Sequence, residues 1–240
     1  MKNRSRILID ASLAAVLLMA VPSASAFNPF RSKKNDEKTK TEQTQKAAVA
    51  DENRVENLDD LSFTQMINSV PLDKKSSQLI QKLQDKEGRN RHSKEYSPKT
   101  GCTVETYRNK EVLLITIPAS KLFAPNEVEV RKDAAALLTP IKRYLKDADM
   151  YRVLLVMHTD NTGSDKYREH ITEERGNALF DWFADQGVDT RYLFSYALAD
   201  DMPLVENNSM TNRAKNRRLE VYLVPGKKML EQAKKGRIVF

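Results

Sequence analysis

The apolar positions of this chain fall into short sets whose spacing changes along its length. Val112-Leu113-Leu114-Ile115-Thr116-Ile117 is a β-rich run closed by Pro118, which predicts a strand. Ala134, Leu137, Leu138, Ile141, Tyr144 and Leu145 recur at helical spacing and predict an amphipathic helix over about 131–147. Val153 to Met157 is continuously apolar, as expected of a central strand buried on both faces. Ala178, Leu179, Trp182 and Phe183 share one face of a second helix, expected from Thr172 to Gln186 with Thr172 as its cap and Gly187 as its end. Tyr192 to Ala199 reads as a third strand. Leu219, Val221 and Leu223 alternate with Glu220 and Tyr222 in a fourth, closed by Pro225-Gly226. The order is βαβαβ followed by a last strand. The crossovers imply some parallel pairing, so the fold class expected is α/β: an α+β sandwich with a mixed four-stranded sheet and helices packed on it.

Upstream the pattern weakens. Leu61, Phe63, Met66 and Ile67, then Leu72, Leu79, Ile80 and Leu83, predict two short amphipathic helices broken at Pro71, with a polar loop over 87–100. They carry too little apolar surface for a domain of their own and are expected to pack on the C-terminal domain or on a partner. Residues 31–60 hold 15 charged residues and no sustained period, so a solvated tether is expected over 27–57. The first 26 residues begin with Lys2, Arg4 and Arg6, continue apolar from Ala11 to Val21 and end in Ser23-Ala24-Ser25-Ala26, the layout of a cleaved signal peptide. The apolar run is about half the ~20 residues of a membrane span, so no span is expected after cleavage. The resulting division is 1–26 signal peptide, 27–57 tether, 58–100 helical region and loop, 101–225 domain, and 226–240 a basic tail, helical in part.

Composition then narrows the function. Forty Lys and Arg against 33 Asp and Glu give +7, and signal cleavage would leave about +5. This is a weak signal for an anionic partner, and the export signal argues against nucleic acid. Cys102 is the only cysteine, so a disulfide scaffold is excluded and a buried or bystander thiol is expected. No phosphate loop, nucleophile elbow or metal-ligand spacing is present, so neither cofactor nor metal is expected, and no catalytic residue is assigned.

Charge placement offers a binding site instead. Asp160 follows the carboxyl end of the central strand, where parallel-strand sheets tend to bind ligands, on a turn suited to Asn161 and Gly163. Arg175 falls in the first turn of the expected second helix, where a cation opposes the macrodipole. Two readings stay open. Arg175 pairs with Asp160 or a neighbouring glutamate, or Arg175 and the free N–H groups of the helix start form a carboxylate site. In the second case Asp160 supplies the counter-charge for an ammonium, and a zwitterionic ligand fits.

His158-Thr159-Asp160-Asn161-Thr162-Gly163, Ile171-Thr172-Glu173-Glu174-Arg175-Gly176, Gly187-Val188, Asn208, Arg213 and Asn216-Arg217-Arg218-Leu219-Glu220 occur in that order. Over about residues 103–225 this resembles the OmpA-like C-terminal domain, shared with the peptidoglycan-associated lipoprotein and the stator protein MotB. The resemblance implies non-catalytic binding of cell-wall peptidoglycan through the diaminopimelate of its peptide stem, anchoring an envelope component. It carries the family's aspartate and arginine onto Asp160 and Arg175. With Asn161, Thr162, Ile171 and Arg217 these make the expected ligand-binding set. The expected location is the periplasm, with the outer membrane reached through a partner. Two alternatives accompany this: an envelope- or secretion-machine assembly protein using residues 51–100 and the tail, or a MotB-like stator with an uncleaved membrane segment. Arg168 stands where the family has Asn and places a cation beside the expected pocket, and Gly176 replaces the usual Ala.

Overall fold

The computed structural model describes residues 62–68, 72–88, 92, 95–97 and 99–240. The expected signal peptide, the tether and Pro71 lie outside the described residues.

A five-stranded mixed sheet organises the chain, in the order β1-β2-β5-β3-β4. Its strands are β1 (Thr103–Tyr107), β2 (Val112–Pro118), β3 (Tyr151–His158), β4 (Leu193–Ala197) and β5 (Arg218–Pro225). β3 and β4 are parallel. β5 lies between β2 and β3 and is antiparallel to both. The two apolar runs β2 and β3 therefore point the same way, and their carboxyl ends meet the amino end of β5. The strand beyond the expected four is β1, an antiparallel edge hairpin partner of β2. It is mostly exposed, so it lacks the apolar alternation that marks the others. Its turn is built from Arg108, Asn109 and Lys110, all at positive φ (42°, 49° and 62°).

Each sheet face has its own core. Val153, Leu155, Met157, Leu219, Val221 and Leu223 face the larger cluster, under the helices. Leu154, Val156, Tyr222, Val224, Phe194 and Tyr196 face the other side. There α1 (Phe63–Ile67) lies against them, with the Phe63 ring 5.2 Å from Tyr222 and 5.7 Å from Tyr196. A capping box between Ser62 and Gln65 closes the start of this one-turn helix. α2 (Lys74–Lys86) is capped by Asp73 and packs beside α6 (Lys227–Lys234), the helical part of the tail. Both upstream helices thus bury their apolar faces on the sheet domain.

Two helices differ from the sequence expectation. Over 132–145 there is no continuous α-helix: the turn α3 (Ala135–Leu138) is flanked by 3₁₀ turns at Lys132–Ala134 and Thr139–Leu145. Pro140 lacks the N–H that would bond back to Ala136, and its ring crowds that carbonyl, which breaks the α pattern while the apolar side stays buried. The long helix α4 spans Asp165–Asp185 and starts seven residues before Thr172. Ser164 caps it, accepting a hydrogen bond from the Tyr167 N–H at 3.3 Å, and Asp165 suits its positive end. Thr172 is an interior residue whose hydroxyl donates to the carbonyls of Arg168 and Glu169. Gly187, at φ +68°, ends the helix as expected. The remaining helix, α5 (Met210–Asn216), leads into β5. Among the described residues no helix is long and apolar enough to cross a membrane.

Candidate functional site

The carboxyl ends of β2 and β3, the amino end of β5 and the first half of α4 enclose a cleft of about 310 Å³. The segment after β2 makes its far wall. Ala119 N–H donates to the Arg217 carbonyl at 2.9 Å, which ties the end of β2 to the start of β5. Arg131 N–H donates to the Leu122 carbonyl at 2.9 Å and closes the 122–131 loop on itself. Phe123, Ala124, Asn126 and Arg131 of this loop line the cleft.

Asp160 is 2% exposed at the cleft floor. Burial alone would raise its pKa, but the Thr162 hydroxyl and N–H and the Arg217 guanidinium outweigh it and hold the carboxyl below its ordinary value. The Thr162 N–H donates to Oδ1 at 2.8 Å, and Arg217 Nη1 donates to Oδ2. The Arg217 side chain is 42% exposed, so this partner sits at the solvent side.

Arg175 is 6% exposed. Its Nε donates to the Glu127 carbonyl at 2.9 Å and its Nη2 to the Ala124 carbonyl at 3.4 Å. Its guanidinium carbon stands 4.9 Å from the centre of the Phe123 ring. No carboxylate among the described residues pairs with it, and burial pulls its pKa down from the ordinary arginine value. This resolves the two open readings in part. Arg175 is not the ion-pair partner of Asp160, because Arg217 is. Nor does Arg175 mark a helix start: ten residues into α4, it is about 15 Å along the axis from the first N–H groups. An anion at this place would meet the guanidinium and not the helix N-terminus.

Of the six expected residues, Asp160, Thr162, Ile171, Arg175 and Arg217 line the cleft together. Asn161 is turned aside, its Oδ1 accepting from Arg213 Nε at 3.3 Å. Arg168 is also outside the lining. Its guanidinium donates to Asp200 at 2.6 Å, to the Gly163 carbonyl at 2.6 Å and to Asp165, so it fastens the 163–165 turn rather than adding a free cation. The loop wall and Tyr167 join the cleft lining beyond the residues expected from the sequence. The Tyr167 hydroxyl donates to Asn126 at 3.2 Å, bridging α4 to the loop across the cleft. Gly163 makes room for that ring: at φ +87°, a Cβ would lie 2.8 Å from Tyr167 Cδ1. The signal for the loop was the Pro118 stop followed by Phe123-Ala124-Pro125-Asn126, an aromatic and turn residues after a strand end.

Buried directly behind the site is a second polar group. Glu220 accepts from Arg218 Nε at 2.7 Å and from the Tyr222 hydroxyl at 2.7 Å, and lies 3.2 Å from His158 Nε2. Burial opposes its charge, yet these partners pull its pKa down to about 2. Burial lowers the pKa of His158.

Residues 122–217 match the OmpA family. The fold is shared with a MotB-like protein from Desulfovibrio vulgaris, at TM-score 0.53 and 23% identity over 62% of this chain and 98% of that one. The outer-membrane lipoprotein YfiB of Pseudomonas aeruginosa is 30% identical over 104 residues, 43% of this chain and 61% of that one. The peptidoglycan-binding protein ArfA of Mycobacterium tuberculosis is 29% identical over 85 residues, 35% of this chain and 26% of that one. The chain spans about three fifths of the length of the first curated relatives it matches.

Proposed function

We propose that the protein binds cell-wall peptidoglycan without catalysis, through the diaminopimelate of the peptide stem, and so anchors an envelope component in the periplasm. The observation that carries this reading is the separation of charges in the cleft. Arg175 is a buried cation without a carboxylate partner among the described residues, and Asp160 is a buried carboxylate held ionised beside it. The free end of diaminopimelate brings one carboxylate and one ammonium. The carboxylate would meet the Arg175 fork and the ammonium Asp160, where it shares the carboxyl with Arg217. Phe123 and Ile171 supply apolar contact for the ligand's methylene chain. The OmpA-family match over the cleft-forming residues supports the ligand class, as does the relative that is itself named a peptidoglycan-binding protein.

A pull-down on purified sacculi tests the proposal. The wild type is retained, and Asp160→Ala and Arg175→Ala are lost to the supernatant while their far-UV circular dichroism stays native. Asp160→Asn, which keeps the shape and the Thr162 contact but not the charge, separates charge recognition from folding. Wild-type retention by both folded alanine variants would show that the cleft is not the binding site.

A further inference from the structure

The sheet has two ends, and the cleft occupies one of them. Pro118, His158 and Arg218 lie at the cleft end. Glu111, Tyr151 and Pro225 lie at the other, about 25 Å away along the eight residues of β5. α2 and α6 cover that far end. Ser77 Oγ donates to Glu111 at 2.5 Å, Gln84 Nε2 to the Glu111 carbonyl at 2.9 Å, and the Tyr151 hydroxyl to Gln84 at 3.3 Å. α6 begins right after β5, where Gly226 packs on the Asp149 backbone so closely that a Cβ would lie 2.1 Å from its carbonyl oxygen. Lys75, at the start of α2, reaches Gly236, just past the end of α6, so the two helices lie alongside with opposed ends.

Their outward side is almost entirely cationic. Residues 73–86 and 227–240 hold nine Lys and Arg against Asp73, Asp85 and Glu231, a net +6 that nearly equals the whole chain's +7. All nine are exposed. Lys228 pairs with Asp147 at 2.5 Å; the other eight form no salt bridge among the described residues. They do not converge on a pocket but spread along helices of 13 and 8 residues, a face about 20 Å long. Val239, 57% exposed, stands beside them as an apolar contact.

We propose that this far end is a phosphate-reading face that docks on an anionic lipid headgroup surface. A spread of unpaired ammonium groups with an exposed apolar residue fits a plane of phosphates better than a single ion, which would need a convergent nest. The cleft and this face point to opposite ends of the molecule, so both can be engaged together.

Co-sedimentation of the full chain with vesicles tests it, comparing phosphatidylglycerol-containing with pure phosphatidylcholine vesicles. The expected result is binding only to the anionic vesicles, weakening steeply with salt and little affected by millimolar inorganic phosphate at constant ionic strength. Each cation near such a surface contributes about fivefold, so neutralising Lys75, Lys82, Lys86, Lys234 and Lys235 to Gln should weaken binding by about a hundredfold or more. Asp160→Asn should bind vesicles as the wild type does, so failure here is distinguishable from failure of the cleft proposal. Equal binding to both vesicle types, unchanged binding by the folded five-lysine variant, or full competition by inorganic phosphate would overturn the proposal.

Discussion

Glu220 and His158 set the behaviour of the buried polar group behind the cleft. Glu220 is ionised in the folded chain down to about pH 2, well below the ordinary glutamate value of about 4.3. Its contribution to stability is therefore present above about pH 4.3 and lost as pH falls toward 2. His158 and His92 are buried with pKa values below the ordinary histidine value. Their neutral forms are favoured by folding, so stability is full above about pH 6.5 and falls as pH drops below it, because the unfolded chain then binds more protons. Urea denaturation at pH 7.5, 5.5 and 3.5 should give a midpoint that declines at each step. The first step should shrink in a His92→Gln/His158→Gln variant. Removing the carboxylate with Glu220→Gln leaves Arg218 buried without its counter-charge and should cost about 3–5 kcal/mol, read from the same denaturation at pH 7.5. At this scale the opposed charges Asp160 and Arg175 were legible from the strand-end rule and the motif spacing. Their partners were not. That Arg217 rather than Arg175 holds Asp160, and that Arg168 is spent on Asp200 and Asp165, depends on side-chain directions that spacing does not determine.

Gly176 shows how one element sits on another. It lies on the α4 face against β4, where an added Cβ would be 2.5 Å from Ser195 Oγ and 3.9 Å from Ser195 Cβ. The hydroxyl thus occupies the room that an alanine side chain would need. Gly176→Ala alone should destabilise by about 1–3 kcal/mol through overpacking. In the Gly176→Ala/Ser195→Ala double variant most of that loss should be recovered, so a double-mutant cycle of denaturation free energies should give a clear coupling. Additive effects would mean that α4 and β4 do not approach as described. The strands with apolar alternation or continuous apolar runs could be read from the sequence, as could the Gly187 helix end. Three element features could not. β1 is an exposed edge with no apolar face. The 132–145 segment keeps a helical apolar spacing although Pro140 denies it the α hydrogen bond. The α4 start was set by Ser164 and Asp165, a better cap than Thr172, within a polar first turn that periodicity overlooks.

For the whole molecule, the sheet lies between the Asp160–Arg175 cleft at one end and a lysine-rich helical pair at the other. The net charge, spread along the sequence, is concentrated at the end away from the cleft. α1 and α2 contribute to the domain by packing on it, so shortening the chain into them should cost stability. Phe63→Ala removes the ring that meets Tyr196 and Tyr222 and should release α1, seen as faster amide exchange over 62–68 with the cleft end unchanged. On the proposed function, the cleft reads a carboxylate and an ammonium at once. Isothermal titration of the full chain with a diaminopimelate-containing muropeptide, against the same muropeptide carrying lysine, tests it directly. Lysine keeps the ammonium but lacks the side-chain carboxylate that Arg175 would hold. Binding of the diaminopimelate form is expected, with at least about tenfold weaker binding of the lysine form, the scale of one charge-assisted contact. Equal affinity for the two would contradict it.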